Sequence, residues 1–355
     1  MNRAAAPLWT AEPSRFAGWP QARARLGLAA LGLFLLAAGN LPRGAEAASD
    51  PTLYAGAIEA MRHGGEYHRL VADALRSGGG AAGRLAFPPP TLAVVAAAAP
   101  GWVLSGLLSA LAVGVLLAWR PVLMNALARP GARWGASLLL VAGLVPYLLP
   151  GVLYVPEVWA GLLIALSLGR WARGAWVEAA AFGLAASVIR EAAGVYLLVM
   201  LLFAVGSRAK REALGWVAAL AVFAPVLLTH WRTVRQVSGP MTGAGDAGWL
   251  GLTPLIGASP LAALPAEAPL VVLALAAFGW IAWRDEAGLR LVATTAAVAL
   301  FALFALVRPE VGADWGYLVA APLLAGLAFA PDGVRDLLRA AGGRRRKITV
   351  TRVVR

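Results

Sequence analysis

Long apolar runs separated by short polar joints make up almost the whole chain. The runs lie at about 26–41, 91–119, 135–150, 156–169, 175–189, 192–206, 213–229, 269–283, 288–307 and 315–330. A helix needs about 20 apolar residues to cross a hydrocarbon core, so several of these runs are short enough to be tilted or half-buried. Pro100 and Gly101 break the second run. Its spanning part then reads as 102–119, with 91–99 as a partly embedded lead-in. The pattern predicts an all-α, polytopic helical membrane protein with about ten transmembrane helices.

One polar stretch interrupts this regime. Residues 49–91 carry the pattern of two short amphipathic helices. In the first, Leu53, Ala57, Ile58 and Met61 share a face, with Glu59, Arg62 and His63 turned away. In the second, Leu70, Val71, Ala74 and Leu75 form the apolar side, with Arg69 and Asp73 four apart on the polar side. Gly64 and Gly65 separate the two, and the prolines at 88–90 stop any helix before the next run. A plain connector needs only a few residues, so this external loop, about 42–90, is read as functional. A second external segment, about 230–268, has no convincing periodicity. Residues 1–25 read as a cytoplasmic tail, 26–330 as the membrane domain and 331–355 as a basic cytoplasmic tail.

Composition agrees with the pattern. The 355 residues are 60% hydrophobic and 14% charged, with a mean hydropathy of +0.72; soluble domains carry about 25% charged residues. No cysteine is present, which excludes a disulfide framework, a thiolate metal site and a cysteine nucleophile. The net charge of +13 raises the question of nucleic acid, and its distribution answers it. With the N-terminus inside, 22 of the 31 basic and seven of the 18 acidic residues face the cytoplasm, leaving +15 inside and −2 outside. That is the positive-inside rule, so no nucleic acid is expected. The cluster Arg344 to Lys347 is suited to rest on anionic lipid.

The external side holds the candidate chemistry. Asp50 stands where the chain leaves the first run. It reads equally as a general base that activates an acceptor hydroxyl and as an N-cap before Pro51 at the first helical position. Arg190 and Glu191 lie between two apolar runs with almost no linker, so both charges sit near membrane depth, where ionisable groups are costly and usually functional. Arg190 can grip a phosphate with its planar fork. Glu191 can orient it, bind a sugar hydroxyl or ligate a cation. Glu157 is external too, Arg84 precedes the proline run, and Trp315 is placed to stack on a sugar face. His63, Glu66, His68 and Asp73 have no recognised metal spacing. No phosphate-loop glycine motif, HExxH or GxSxG occurs.

Together these features resemble the GT-C class of polytopic glycosyltransferases, in bacterial mannosyltransferase-like form. The residues that carry the likeness are Asp50, Tyr54 to Ile58, the Gly-Gly-Glu-Tyr-His at 64–68, Phe87 to Ala93, Arg190 with Glu191, and Trp315 to Tyr317. The topological likeness covers nearly the whole chain, and the motifs cover some forty residues. The chain departs from the class in having no Asp-Asp, Asp-Glu or Asp-x-Asp in the first loop. The resemblance implies transfer of a sugar from a polyprenyl-phosphate donor to a cell-envelope acceptor, on the outer face of a bacterial inner membrane, with inversion in a single displacement. Asp50 and Glu191 would be catalytic. Arg190, Arg84, Tyr67, His68, Glu157 and Trp315 would bind substrate. No cofactor or metal is expected, since nothing in the sequence supports a divalent cation. A transporter or flippase for a lipid-linked or amphipathic solute, or a non-catalytic scaffold, would use the same topology.

Overall fold

The computed structural model describes residues 6–40, 51–77, 87–238, 253–264, 268–306 and 314–342. Among the described residues all regular elements are helical, apart from an isolated bridge between Thr10 and Leu127. In chain order they are α1 (Gln21–Asn40), α2 (Pro51–Arg62), α3 (Tyr67–Ser77), α4 (Thr91–Ala98), α5 (Gly101–Ala126), α6 (Pro130–Leu144), α7 (Pro156–Trp171) and α8 (Trp176–Ile189). There follow α9 (Gly194–Gly206), α10 (Lys210–Ser238), α11 (Thr253–Gly257), α12 (Ala268–Ala282), α13 (Glu286–Leu306) and α14 (Ala330–Ala341). Extended Pro100 separates α4 from α5, where the sequence places the end of the lead-in. The two loop helices form as expected. Their ion pairs differ, because Arg69 pairs with Glu66 and Asp73 with Arg76, each three residues apart.

Among the described residues four helices are long and apolar enough to cross a bilayer: α1, α5, α6 with its 3-10 extension to Leu148, and α10. Others, such as α8 and α12, are apolar but shorter. The expectation of about ten transmembrane helices is therefore met only in part. The fold nevertheless exposes large apolar side chains in a way that suits lipid. Leu26, Leu33 and Leu36 of α1, Leu117 of α5, Leu138 of α6, Leu202 of α9 and Leu214 of α10 are each more than 60% exposed. An apolar surface that extensive marks a membrane or partner contact. Trp102 at the start of α5 and Trp134 near the start of the antiparallel α6 are 78% and 70% exposed, as expected of indoles at the two interfaces.

The last apolar run corrects the expectation most sharply. Residues 315–330 do not form an α-helix. They make two 3-10 turns, Trp315–Leu318 and Leu323–Ala328, before α14 begins. This broken segment is almost wholly buried among α6, α7 and α12. Irregular backbone at membrane depth is tolerated only where protein surrounds it. Glycines permit the close approach: a Cβ on Gly161 of α7 would collide with the Tyr317 carbonyl, one on Gly143 of α6 with that of Ala321, and one on Gly279 of α12 with that of Gly326. Tyr147 holds the segment at both polarities, donating to Tyr317 O at 2.6 Å and accepting from Ala321 N–H at 2.9 Å. Trp280 adds a bond to Leu323 O at 2.9 Å.

At the end of the bundle that the charge pattern assigns to the cytoplasm, the polar ends of the chain pack together. The carboxylate of Asp332 in α14 accepts from the amides of Leu8, Trp9 and Thr10 at 2.6, 2.7 and 2.9 Å. Ser14 N–H donates to Asp336 at 3.0 Å, and Arg15 caps the carbonyls of Ile281, Trp283 and Arg284 that close α12. The amphipathic α14 lies on α1 and α12.

Candidate functional site

The antiparallel hairpin of α7 and α8 places Glu157 and Arg190 at one end. Pro156 starts α7, and Glu157 sits in its first turn, where the partial positive charge of the helix N-terminus favours a carboxylate. At the same end of the hairpin, α8 stops at Ile189. Arg190 is extended (φ −138°, ψ 116°), and a 3-10 turn from Glu191 to Ala193 leads into α9. That one extended residue turns the arginine inward. Its Nε lies 2.7 Å from Glu157 Oε1, and Nη1 donates to Glu191 Oε1 at 3.0 Å. The Nε–H is not aimed at the Glu157 oxygen, so that contact is coulombic rather than a hydrogen bond.

All three side chains are buried, with 2–3% of each exposed. One cation therefore faces two carboxylates. Among the described residues the second oxygen of each, Glu157 Oε2 and Glu191 Oε2, has no hydrogen-bond partner. A buried unpaired carboxylate oxygen is costly, so the cluster is primed to accept hydrogen bonds from something that enters.

The helices of the first loop roof this cluster. Tyr54 of α2 is pushed up by burial and then by the Glu157 carboxylate, an effect Arg190 opposes. Tyr67 at the start of α3 is pushed up by burial and then by Tyr54, with Arg190 and Glu191 also within range. The Tyr67 hydroxyl donates to Pro88 O at 3.0 Å, and Thr91 Oγ1 to Val188 O at 2.9 Å. These bonds tie the proline run to the end of α8. The cavity lined by Tyr54, Ile58, Tyr67, Pro89, Tyr154 and Pro156 holds only about 10 Å3, which is room for one water. The roof is closed.

The other expected site residues divide. Trp315 is buried, opens the broken segment against α7, and has no partner for its indole N–H among the described residues. His68 lies beside α10, where its Nε2 is 3.3 Å from Nδ1 of His230. Asp50 and Arg84 fall outside the described residues, and α2 begins at Pro51. Among the described residues no group of three or more His, Asp or Glu side chains is arranged to hold a metal ion.

No family model matches this chain, and neither a curated protein nor a solved structure does. The functional reading therefore rests on the residues themselves.

Two features of the molecule were missed by the sequence reading. Arg290, counted only as a cytoplasmic loop charge, is 1% exposed and donates to Glu212 at 2.9 Å and to Glu286 at 3.3 Å. It stacks 3.8 Å over the Trp171 ring, and both Trp171 and Trp216 donate to the same Glu212 oxygen. The four-residue spacing from Glu286 and the nearby tryptophans were the available signals. The second is a cavity of about 690 Å3 at that same end, lined by Thr10, Ser14, Asn125, Arg173, Trp283 and Phe329 among others.

Proposed function

We propose that this chain is a GT-C-like glycosyltransferase of a bacterial inner membrane, with both termini in the cytoplasm. In this reading it moves a sugar from a polyprenyl-phosphate donor to a cell-envelope acceptor at the outer face. The observation that carries the proposal is the buried cluster of Arg190, Glu157 and Glu191 under the loop helices, with two carboxylate oxygens unpartnered among the described residues. A sugar offers several hydroxyl donors, which such oxygens accept. Asp50 directly precedes α2, the helix that brings Tyr54 to the cluster, and is assigned the role of base for the acceptor hydroxyl. Arg190 and Arg84 are assigned the departing phosphate. Arg190 begins with two carboxylate neighbours, so Glu191 must turn to a substrate hydroxyl for the fork to be released.

Because the cavity is closed, α2 and α3 have to lift for substrate to enter. The outward face of α4, with Val94 and Val95 about half exposed, offers the lipid tail a lateral surface. The test is transfer from a radiolabelled polyprenyl-phosphate sugar in membranes that contain the protein. Glu191→Gln should lower turnover about a hundredfold or more while inserting and purifying normally. Parental activity in Glu191→Gln, or no transfer by the parent with any polyprenyl-phosphate sugar, overturns the reading.

One observation favours transport as a second reading. The broken segment 314–329 runs from the α7 end of the cluster to Phe329, which lines the 690 Å3 cavity, and discontinuous elements at membrane depth are where transporters bind solute. Solute-dependent labelling of single cysteines at Tyr154 and Asn125 that changes in opposite directions would select transport over transfer.

A further inference from the structure

The pair His68 and His230 poses a problem of protons. His230 Nε2 lies 2.9 Å from the carbonyl oxygen of Phe87, which only accepts, so that nitrogen carries a hydrogen. His68 Nδ1 lies 3.3 Å from Glu66 Oε1, a carboxylate that likewise only accepts, so that nitrogen carries one too. The remaining nitrogens, His68 Nε2 and His230 Nδ1, face one another at 3.3 Å. With those outer nitrogens protonated and both rings neutral, two lone pairs oppose each other across the gap, a conflict that a shared proton or a bound metal cation relieves.

We propose that His68 and His230 form a two-imidazole site for a divalent cation of the zinc class, joining α3 to α10. The spacing fits the ion. Two Zn–N bonds of about 2.05 Å at the tetrahedral angle put the nitrogens about 3.3 Å apart. The outer partners fit as well, since metal-bound imidazoles generally donate their second N–H to a carboxylate or a backbone carbonyl. Both occur here, one on each ring. His68 retains 12% side-chain exposure and His230 5%. Beside them a cleft of about 480 Å3 is lined by Glu66, Arg69, Arg76, Thr233, Gln236 and Val237. Glu66, which contacts His68, lines that cleft, and two of the ion's four positions would be left for water or for an oxygen of a bound substrate. Sequence spacing hid this site, because its ligands lie 162 residues apart.

The site is independent of the sugar-transfer reading, since its test measures ion uptake alone. Full-length protein without a polyhistidine tag, stripped with chelator in detergent, is titrated with Zn2+. It should take up one equivalent per chain, and saturation should raise its melting temperature. His68→Gln and His230→Gln should abolish the uptake, and Glu66→Gln should weaken it by about tenfold or more. His63→Gln, which alters the exposed third histidine, should bind as the parent does. Circular dichroism identical to the parent's in the metal-free state keeps the variants interpretable. No uptake by the parent at about 100 μM Zn2+, which excludes a dissociation constant well below that concentration, overturns the proposal. Equal uptake by His68→Gln or His230→Gln also overturns it, as does a shared imidazole proton seen by 15N NMR without metal binding.

Discussion

Arg190 shows how much one side chain in this molecule depends on its neighbours. Its charge is buried against two carboxylates, and breaking a buried ion pair from one side leaves an uncompensated charge that costs about 3–5 kcal/mol. Arg190→Ala should therefore lower the melting temperature steeply, measured by size-exclusion after heating. Adding Glu157→Gln and Glu191→Gln to the same chain should restore much of the loss. A parental melting temperature in Arg190→Ala alone would show that the carboxylates are already neutral or solvated. Asp332 gives a test in pH. Burial raises its pKa, but the amides of Leu8, Thr10 and Trp9, helped by Arg335, hold the carboxylate below the ordinary aspartate range. A lowered folded pKa means the stabilisation is complete above the unfolded value of about 4 and is lost as pH falls through the folded value. Stability of the 8–10 segment should not change between neutral pH and pH of about 5, and should fall only below about pH 4. Hydrogen exchange at these amides reads it directly. Asp332→Asn should mimic the acid state at every pH, at a cost of about 1–3 kcal/mol.

At the scale of elements the broken segment 314–329 is the least ordinary part of the fold. Hydropathy makes it a tenth span, since its residues are as apolar as those of any other run. Its glycines and Pro322 break the helix, and the glycines of α6, α7 and α12 receive its carbonyls at short range. Gly161→Ala and Gly279→Ala should each leave little folded protein, because the new methyl meets a backbone oxygen that cannot move away. Gly106→Ala, in α5 with open space around its Cβ position, should be neutral or should stabilise by up to about 1 kcal/mol. Thermal melting of the three purified variants checks the contrast. Similar behaviour at all three positions would mean that the segment is loosely held. The loop helices α2 and α3 behave in the opposite way. Their apolar faces were visible in the sequence, and the structure buries Ala57, Ile58 and Val71 as that pattern predicts.

For the whole molecule the central expectation is orientation in the membrane. The buried cluster of Arg190 and the two histidines lie at one end of the bundle, and the lattice of Arg290, Glu212 and Glu286 lies at the other, as does Asp332. The chain has no cysteine, so single introduced thiols report cleanly. A cysteine at exposed His63 should react with an impermeant maleimide in intact cells. One at exposed Ser207, in the turn between α9 and α10, should react only after lysis. Equal labelling at both positions would remove the positive-inside assignment and the outer-face location of the site with it.

The sequence alone determined the helical, membrane-suited character of this protein, the break at Pro100, the amphipathic faces of α2 and α3, and the candidate status of Arg190 and Glu191. Each of these is written locally, in periodicity, in proline and glycine, or in a charge set between apolar runs, and local patterns act over a few residues of chain. Tertiary structure decided what no local pattern encodes. It brought Glu157 to Arg190 across the length of a hairpin, buried Arg290 that the charge count had placed in a loop, and faced His68 with His230 from distant helices. It also turned the last apolar run into buried 3-10 backbone, because hydropathy measures what a segment prefers to touch, whereas close packing against glycine decides what shape it can take.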